Sequence, residues 1–267
     1  MFGVKSITVK FWLRYQWQKR VCHAHFIPPR PVFFVHIPKT AGTSFRNMLY
    51  RVIDPEVTYP NLRDLAIYEG HYPRPEQLED YLSGIGRDIF FLAGHYPFAM
   101  GGLLAKVPDY YVFLRDPLAR TISNLLHFQR NEPDCMGLDL FQIFDLYRKH
   151  LQNFQVRYLC DPSLTDFDTF YHAERVTEKS LEQAKDHLSR CAFIGLTEEF
   201  STSVRLAEKL LGISLGNILK DNFAANIPEY DDPALAEYIG PAIQLDQKLY
   251  HHARILFEQQ KAHLLNT

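Results

Sequence analysis

The sequence predicts an α/β protein: three layers, with a mainly parallel central sheet flanked by helices. Three observations predict it. Four short apolar runs are bounded by turn residues, as buried parallel strands are. Segments of helical periodicity alternate with those runs. The first run passes through a tight turn directly into an amphipathic stretch, giving a strand–loop–helix unit.

The elements follow in chain order. Val32-Phe33-Phe34-Val35-His36, after a proline-rich entry, is the first strand. Phe45, Met48, Leu49 and Val52 fall at helical spacing behind it. The stretch from Asp54 to Gly86, rich in Pro and Tyr, reads as some helix and much loop. Ile89 to Ala93 and Tyr110 to Leu114 are the second and third strands. Asp116-Pro117 is an N-cap followed by proline at the first helical position, and Leu118, Ile122 and Leu125 continue that helix. Residues 140–160 and 176–190 read as helices, Cys191 to Gly195 as a fourth strand. Phe200, Val204, Ala207 and Leu211 mark a helix that Gly212 closes. Residues 214–240 read as loop, and Leu245 to Leu256 as a C-terminal helix.

Composition narrows the function classes. The 267 residues are 46% hydrophobic and 22% charged, ordinary for a globular chain, and suffice for one large domain. The formal charge of −2 gives no basic field of the kind nucleic acid requires. Charge is uneven, however. Residues 1–30 carry six Lys or Arg and no acid, interleaved with Phe11, Trp12, Tyr15 and Trp17. They are set apart as a basic, aromatic arm, with peripheral membrane contact as one reading and a solvated terminal segment as the other. Residues 31–267 form the domain. No apolar stretch approaches the roughly 20 residues of a membrane span, and no secretory signal is seen. Cys22, Cys135, Cys160 and Cys191 have neither metal-ligand nor redox spacing. Reduced thiols and a cytoplasmic location are the expectation.

The chemistry concentrates in His36-Ile37-Pro38-Lys39-Thr40-Ala41-Gly42-Thr43-Ser44-Phe45. A turn from a strand into a helix points backbone N–H groups toward one place, at the positive end of the helix dipole, and so makes an anion site. Gly42 allows close backbone approach, Thr43 and Ser44 add hydroxyls, and Lys39 adds a full charge. In a Walker A loop the lysine follows the last glycine; here it lies three positions before Gly42, which favours a metal-independent anion over Mg-ATP. A second candidate anion site lies at Leu114-Arg115-Asp116-Pro117, with Ser123 two turns into the helix. Arg115 stands at the carboxyl end of a strand, where open α/β sheets bind ligands, and Arg suits bidentate phosphate contact. On its own this stretch also fits a plain capping ion pair.

Together these segments resemble the sulfotransferases that use 3′-phosphoadenosine 5′-phosphosulfate (PAPS), in particular the carbohydrate branch that includes heparan-sulfate 2-O-sulfotransferase (sulfotransferase family 2). His36 to Phe45 is similar to that family's 5′-phosphosulfate loop, and Arg115-Asp116-Pro117, Arg120 and Ser123 to its 3′-phosphate segment. Asn153 to Leu159, Gly195 to Phe200 and Asp246 to Phe257 are weaker echoes. The resemblance implies a P-loop-NTPase-like fold and sulfuryl transfer from PAPS to an acceptor hydroxyl on a carbohydrate or glycolipid. It also implies that no metal is needed. Lys39, Thr40, Ala41, Gly42, Thr43 and Ser44 are then the 5′-phosphosulfate ligands, and Arg115 and Ser123 the 3′-phosphate ligands. His95, directly after the second strand, is the candidate general base: its place faces the same crevice, and the resemblance puts the family's histidine base in the matching segment. His36 is a rival expected to pack inward, and His71, His251 and His252 lie outside any motif. The eukaryotic Golgi members of the family carry a membrane anchor that this sequence does not show, which favours the cytoplasmic expectation. Two rival functions remain at this point: a P-loop-type kinase, and a silent module that holds a nucleotide or glycan without turnover.

Overall fold

The computed structural model describes residues 13, 16, 19, 20, 22, 24–61, 64, 75–84, 88–160, 176–216 and 232–265. Most of the basic arm at 1–30, with His71, lies outside them. At its described end Phe26 bridges to Ile53, and Cys22 is buried.

The first strand, β1 (Val32–Val35), is buried at every residue and leads into α1 (Gly42–Val52). After a two-residue strand β2 (Thr58–Tyr59) come α2 (Pro75–Gly84), β3 (Phe91–Gly94) and β4 (Asp109–Leu114). The chain continues through α3 (Pro117–Asn131), α4 (Leu140–Leu151), α5 (Phe154–Leu159) and α6 (Glu178–Ser189). It ends in β5 (Phe193–Leu196), α7 (Phe200–Leu211), α8 (Pro233–Ile239) and α9 (Gln244–Leu265).

The five strands form one parallel sheet in the order β2-β3-β1-β4-β5. That is the three-layer α/β arrangement the sequence predicts. β1 lies between β3 and β4, with Val35 level with Gly94 and with Val112. From β1 the chain passes to the edge strand β2, returns to β3 beside β1, and then crosses to β4 and β5 on the other side. In such sheets the crevice at the carboxyl ends beside the reversal point receives the ligand. His36, His95 and Arg115 each follow a strand into that crevice.

Two cores hold the frame. The larger surrounds the sheet, where Phe45 of α1 meets Phe34 at 5.2 Å, Phe113 at 4.9 Å and Phe193 at 5.4 Å. Burying a Phe side chain is worth about 1.5–3 kcal/mol, so this residue anchors the helix behind the loop. The smaller core joins Ile122 and Leu125 of α3 to Ile143 and Phe144 of α4 and to Leu235 and Ile239 of α8.

Three elements differ from the sequence reading. The 140–160 helix is two helices, because Asn153 takes a left-handed φ of 41° and its side-chain oxygen accepts the N–H of Leu245 at 3.0 Å. Residues 233–239 are helical, capped by Asp232, which accepts from Leu235 N–H at 3.1 Å. β2 is too short to carry periodicity. Among the described residues no helix is long and apolar enough to cross a membrane.

Candidate active site

The loop after β1 is shaped by its backbone. Ile37 N–H returns to Val35 O at 3.1 Å, and the Thr40 hydroxyl donates to Ile37 O at 2.8 Å. Lys39 and Ala41 both adopt left-handed φ, 69° and 61°. Such conformations cost non-glycine residues energy and concentrate where function holds them. They fold the main chain into a concave nest that suits an anion. The bonds at the start of α1 begin with Ser44 N–H to Ala41 O, so the amides of Gly42 and Thr43 precede that ladder. Thr43 is exposed and Ser44 buried, and no side chain caps the helix.

The left-handed positions are Lys39 and Ala41. Gly42 also leaves room for a neighbour: a Cβ there would lie 2.2 Å from Cδ2 and 2.6 Å from Nε2 of the His36 ring. The Thr40 hydroxyl, expected at the anion, is engaged within the turn by Ile37 O.

Lys39 is half-buried. Burial lowers its pKa first of all, and Arg130, Arg115 and Arg120 lower it further. Three arginines thus add to the positive field at Lys39, a field that an anion relieves.

Arg115 is fixed by its main chain. Its N–H donates to Gln155 Oε1 at 3.1 Å, and its carbonyl accepts from Gln155 Nε2 at 2.9 Å. Gln155 is itself held at the start of α5, where its N–H and that of Val156 donate to Asp246 at 3.1 and 2.9 Å. The Arg115 guanidinium donates to Lys39 O at 3.3 Å, which joins the two loops. Burial lowers its pKa, opposed by Glu198 and Asp116. Asp116 caps α3 through Ala119 N–H at 2.9 Å, while its own N–H donates to Glu198 at 3.0 Å.

Arg120 is fully buried one turn into α3, with its guanidinium 4.4 Å from the Phe154 ring centroid. Burial lowers its pKa to about 10, while Asp246 acts in the opposite direction. Its Nε and Nη1 have no hydrogen-bond partner among the described residues. Ser123, three residues on, shares that helix face and is buried. Arg120 is fully buried, so its unsatisfied donors are not open to the crevice.

His95 follows β3. Its Nδ1 lies 2.8 Å from His36 O, so in the neutral ring Nδ1 is assigned the proton. Solvent reaches the ring although protein crowds its other sides. That crowding lowers its pKa; the bond to His36 O opposes the shift and Arg46 adds to it. His36 is buried, as the sequence reading expects of this rival. His252 bonds Ser189 at 3.2 Å, away from the crevice.

The structure thus brings Lys39, the 40–44 backbone, Arg115 and His95 to one edge of the sheet. Sequence reasoning missed Gln155, Asp246 and Arg130. Asn153 to Leu159 and Asp246 to Phe257 were legible as motif echoes, without a role. Among the described residues no group of three His, Cys, Asp or Glu is placed to hold a metal ion.

No family model matches the chain. It is similar to heparan-sulfate 6-O-sulfotransferase 1 of Cricetulus griseus, 26% identical over 86% of this chain and 67% of that protein. It is also similar to heparan-sulfate 6-O-sulfotransferase 3-B of Danio rerio, 29% identical over 86% of this chain and 64% of that one. For heparan-sulfate 6-O-sulfotransferase 2 of Homo sapiens the figures are 27%, 86% and 45%. The chain spans about two thirds or less of the length of these relatives. The resemblance to carbohydrate sulfotransferases stands, and the relatives carry the 6-O rather than the 2-O name.

Proposed function

We propose that this chain, a relative of the carbohydrate sulfotransferases, transfers a sulfuryl group from PAPS to a hydroxyl of a carbohydrate of the heparan-sulfate class. The observation that carries the reading is the convergence of a left-handed, lysine-bearing loop, a main-chain-clamped arginine and a histidine oriented through Nδ1 by the His36 carbonyl at one sheet edge. The likeness to heparan-sulfate sulfotransferases over 86% of the chain supports it.

The roles follow from placement. The amides of Gly42 and Thr43, the Ser44 hydroxyl and the Lys39 ammonium would hold the 5′-phosphosulfate; Arg115 and Ser123 would hold the 3′-phosphate. Bound PAPS supplies the activated sulfuryl group and a phosphate leaving group. His95 Nε2 takes the proton of the acceptor hydroxyl as its oxygen bonds to sulfur and the sulfur–oxygen bond to the 5′-phosphate breaks. A positioned base is typically worth about 10²–10⁴ in rate. Lys39 and the loop amides meet the charge that gathers on the departing phosphate. The lowered pKa of His95 keeps it neutral, and so basic, near pH 7.

A kinase would need a magnesium carboxylate after a strand; the candidate, Asp116, accepts from Ala119 N–H as a helix cap. The test is calorimetric titration with 3′-phosphoadenosine 5′-phosphate, with AMP, and with ATP in the presence and absence of magnesium. Micromolar binding of the bisphosphate, much tighter than AMP and indifferent to magnesium, is expected. Magnesium-dependent ATP binding with none of the bisphosphate would return the kinase.

A further inference from the structure

His36 has no part in that mechanism, yet it touches both halves of the site. Its ring stacks on Phe34 at 5.4 Å and meets the His95 ring at 4.4 Å. Its carbonyl holds His95 Nδ1. Its ring edge lies where any Cβ on Gly42 would have to go. It is 2% exposed, and its Nδ1 has no hydrogen-bond partner among the described residues.

An unpaired buried nitrogen is a cost that a phenylalanine of similar shape would remove. Packing alone therefore does not explain a histidine here, and a stability cost retained beside a site points to function. The groups that face the ring are Phe34 on β1, His95 after β3 and Gly42 at the start of α1, with Arg46 of α1 acting on it electrostatically. Burial above all holds the ring neutral, and His95 and Arg46 act in the same direction.

We propose that His36 is a positioning residue: its imidazole fixes the orientation of His95 and ties it to the donor loop at Gly42, so that base and donor are set by one side chain. The proposal rests on His95 being the base. The ring is wedged between the loop whose amides face the donor and the imidazole that faces the acceptor. Displacing it moves both. An error of about 1 Å in such an arrangement can cost on the order of 10²-fold in rate.

The test uses the full chain with His36→Phe, His36→Ala and His95→Gln. For His36→Phe the expected result is an unchanged or raised unfolding midpoint, with kcat lowered about tenfold and KM for PAPS changed by less than about threefold. For His36→Ala, water enters beside His95, and the NMR titration midpoint of the His95 ring should rise toward the ordinary histidine value. A wild-type kcat in His36→Phe together with an unmoved His95 titration in His36→Ala would overturn the proposal. Full activity in His95→Gln would instead sink the base assignment itself. Should the wild type transfer no sulfuryl group at all, the His95 titration still decides whether His36 sets that ring.

Discussion

Gln155→Leu separates donor selection from donor binding. The side chain is fully buried and makes two hydrogen bonds, both to the main chain of Arg115, at 3.1 and 2.9 Å. Leucine is close in volume and makes neither. One N–H and one C=O of Arg115 would then lack these partners. Each buried unsatisfied group costs about 1–3 kcal/mol, so the stability loss should be about 2–6 kcal/mol. A typical total is about 5–15 kcal/mol, so the affinity is read on the folded fraction. The larger effect falls on Arg115, whose guanidinium is no longer aimed. A hydrogen bond to a charged group is worth about 1.5–3 kcal/mol, which corresponds to roughly 10- to 150-fold in affinity. Calorimetry should find 3′-phosphoadenosine 5′-phosphate weakened by that factor and AMP hardly changed, with a urea titration run alongside to register the stability loss. Equal weakening of both ligands would refute the assignment of Arg115 to the 3′-phosphate. Unchanged affinity for both would refute the clamp.

Gly42→Ala should overpack the loop against His36, lowering stability by about 1–3 kcal/mol in urea unfolding and weakening donor binding; adding His36→Ala should recover most of the stability, because the clashing ring is gone. The pH profile of kcat/KM should show an acid limb below the ordinary histidine value of about 6.5. The sign follows from His95 acting only when neutral: burial lowers its pKa, so the active form persists to lower pH than for a free histidine, and activity is lost as pH falls through the lowered value. A limb above that value would contradict His95 as the base.

The sheet was legible because its strands are buried on both faces: Val32-Phe33-Phe34-Val35 is a continuous apolar run, and each of its residues is buried. The second, third and fourth strands are found within two residues of their expected places for the same reason. The α8 helix carried a signal that the loop reading passes over, Asp232-Pro233 as cap and first-turn proline. The break at Asn153 had no such local signal, because its left-handed turn is held by α9, about ninety residues away.

The candidate site divides along the same line. Lys39, His95 and Arg115 follow strand ends, so sequence order alone brings them to one crevice. Gln155 and Asp246 serve Arg115 from 40 and more than 100 residues away, through main-chain contacts that no spacing announces. The left-handed turns at Lys39 and Ala41 are equally silent, because the nearby glycine attracts the conformational argument. Gly42 matters for the space it leaves to His36.

The central claim is sulfuryl transfer, and the most direct measurement follows the label from [³⁵S]PAPS onto desulfated heparan-type polysaccharide, with wild type, Lys39→Ala and His95→Gln side by side. The account predicts labelled glycan with the wild type and little or none with either variant, while His95→Gln still binds 3′-phosphoadenosine 5′-phosphate. Donor bound without any label reaching a carbohydrate would contradict it and leave a nucleotide-binding module.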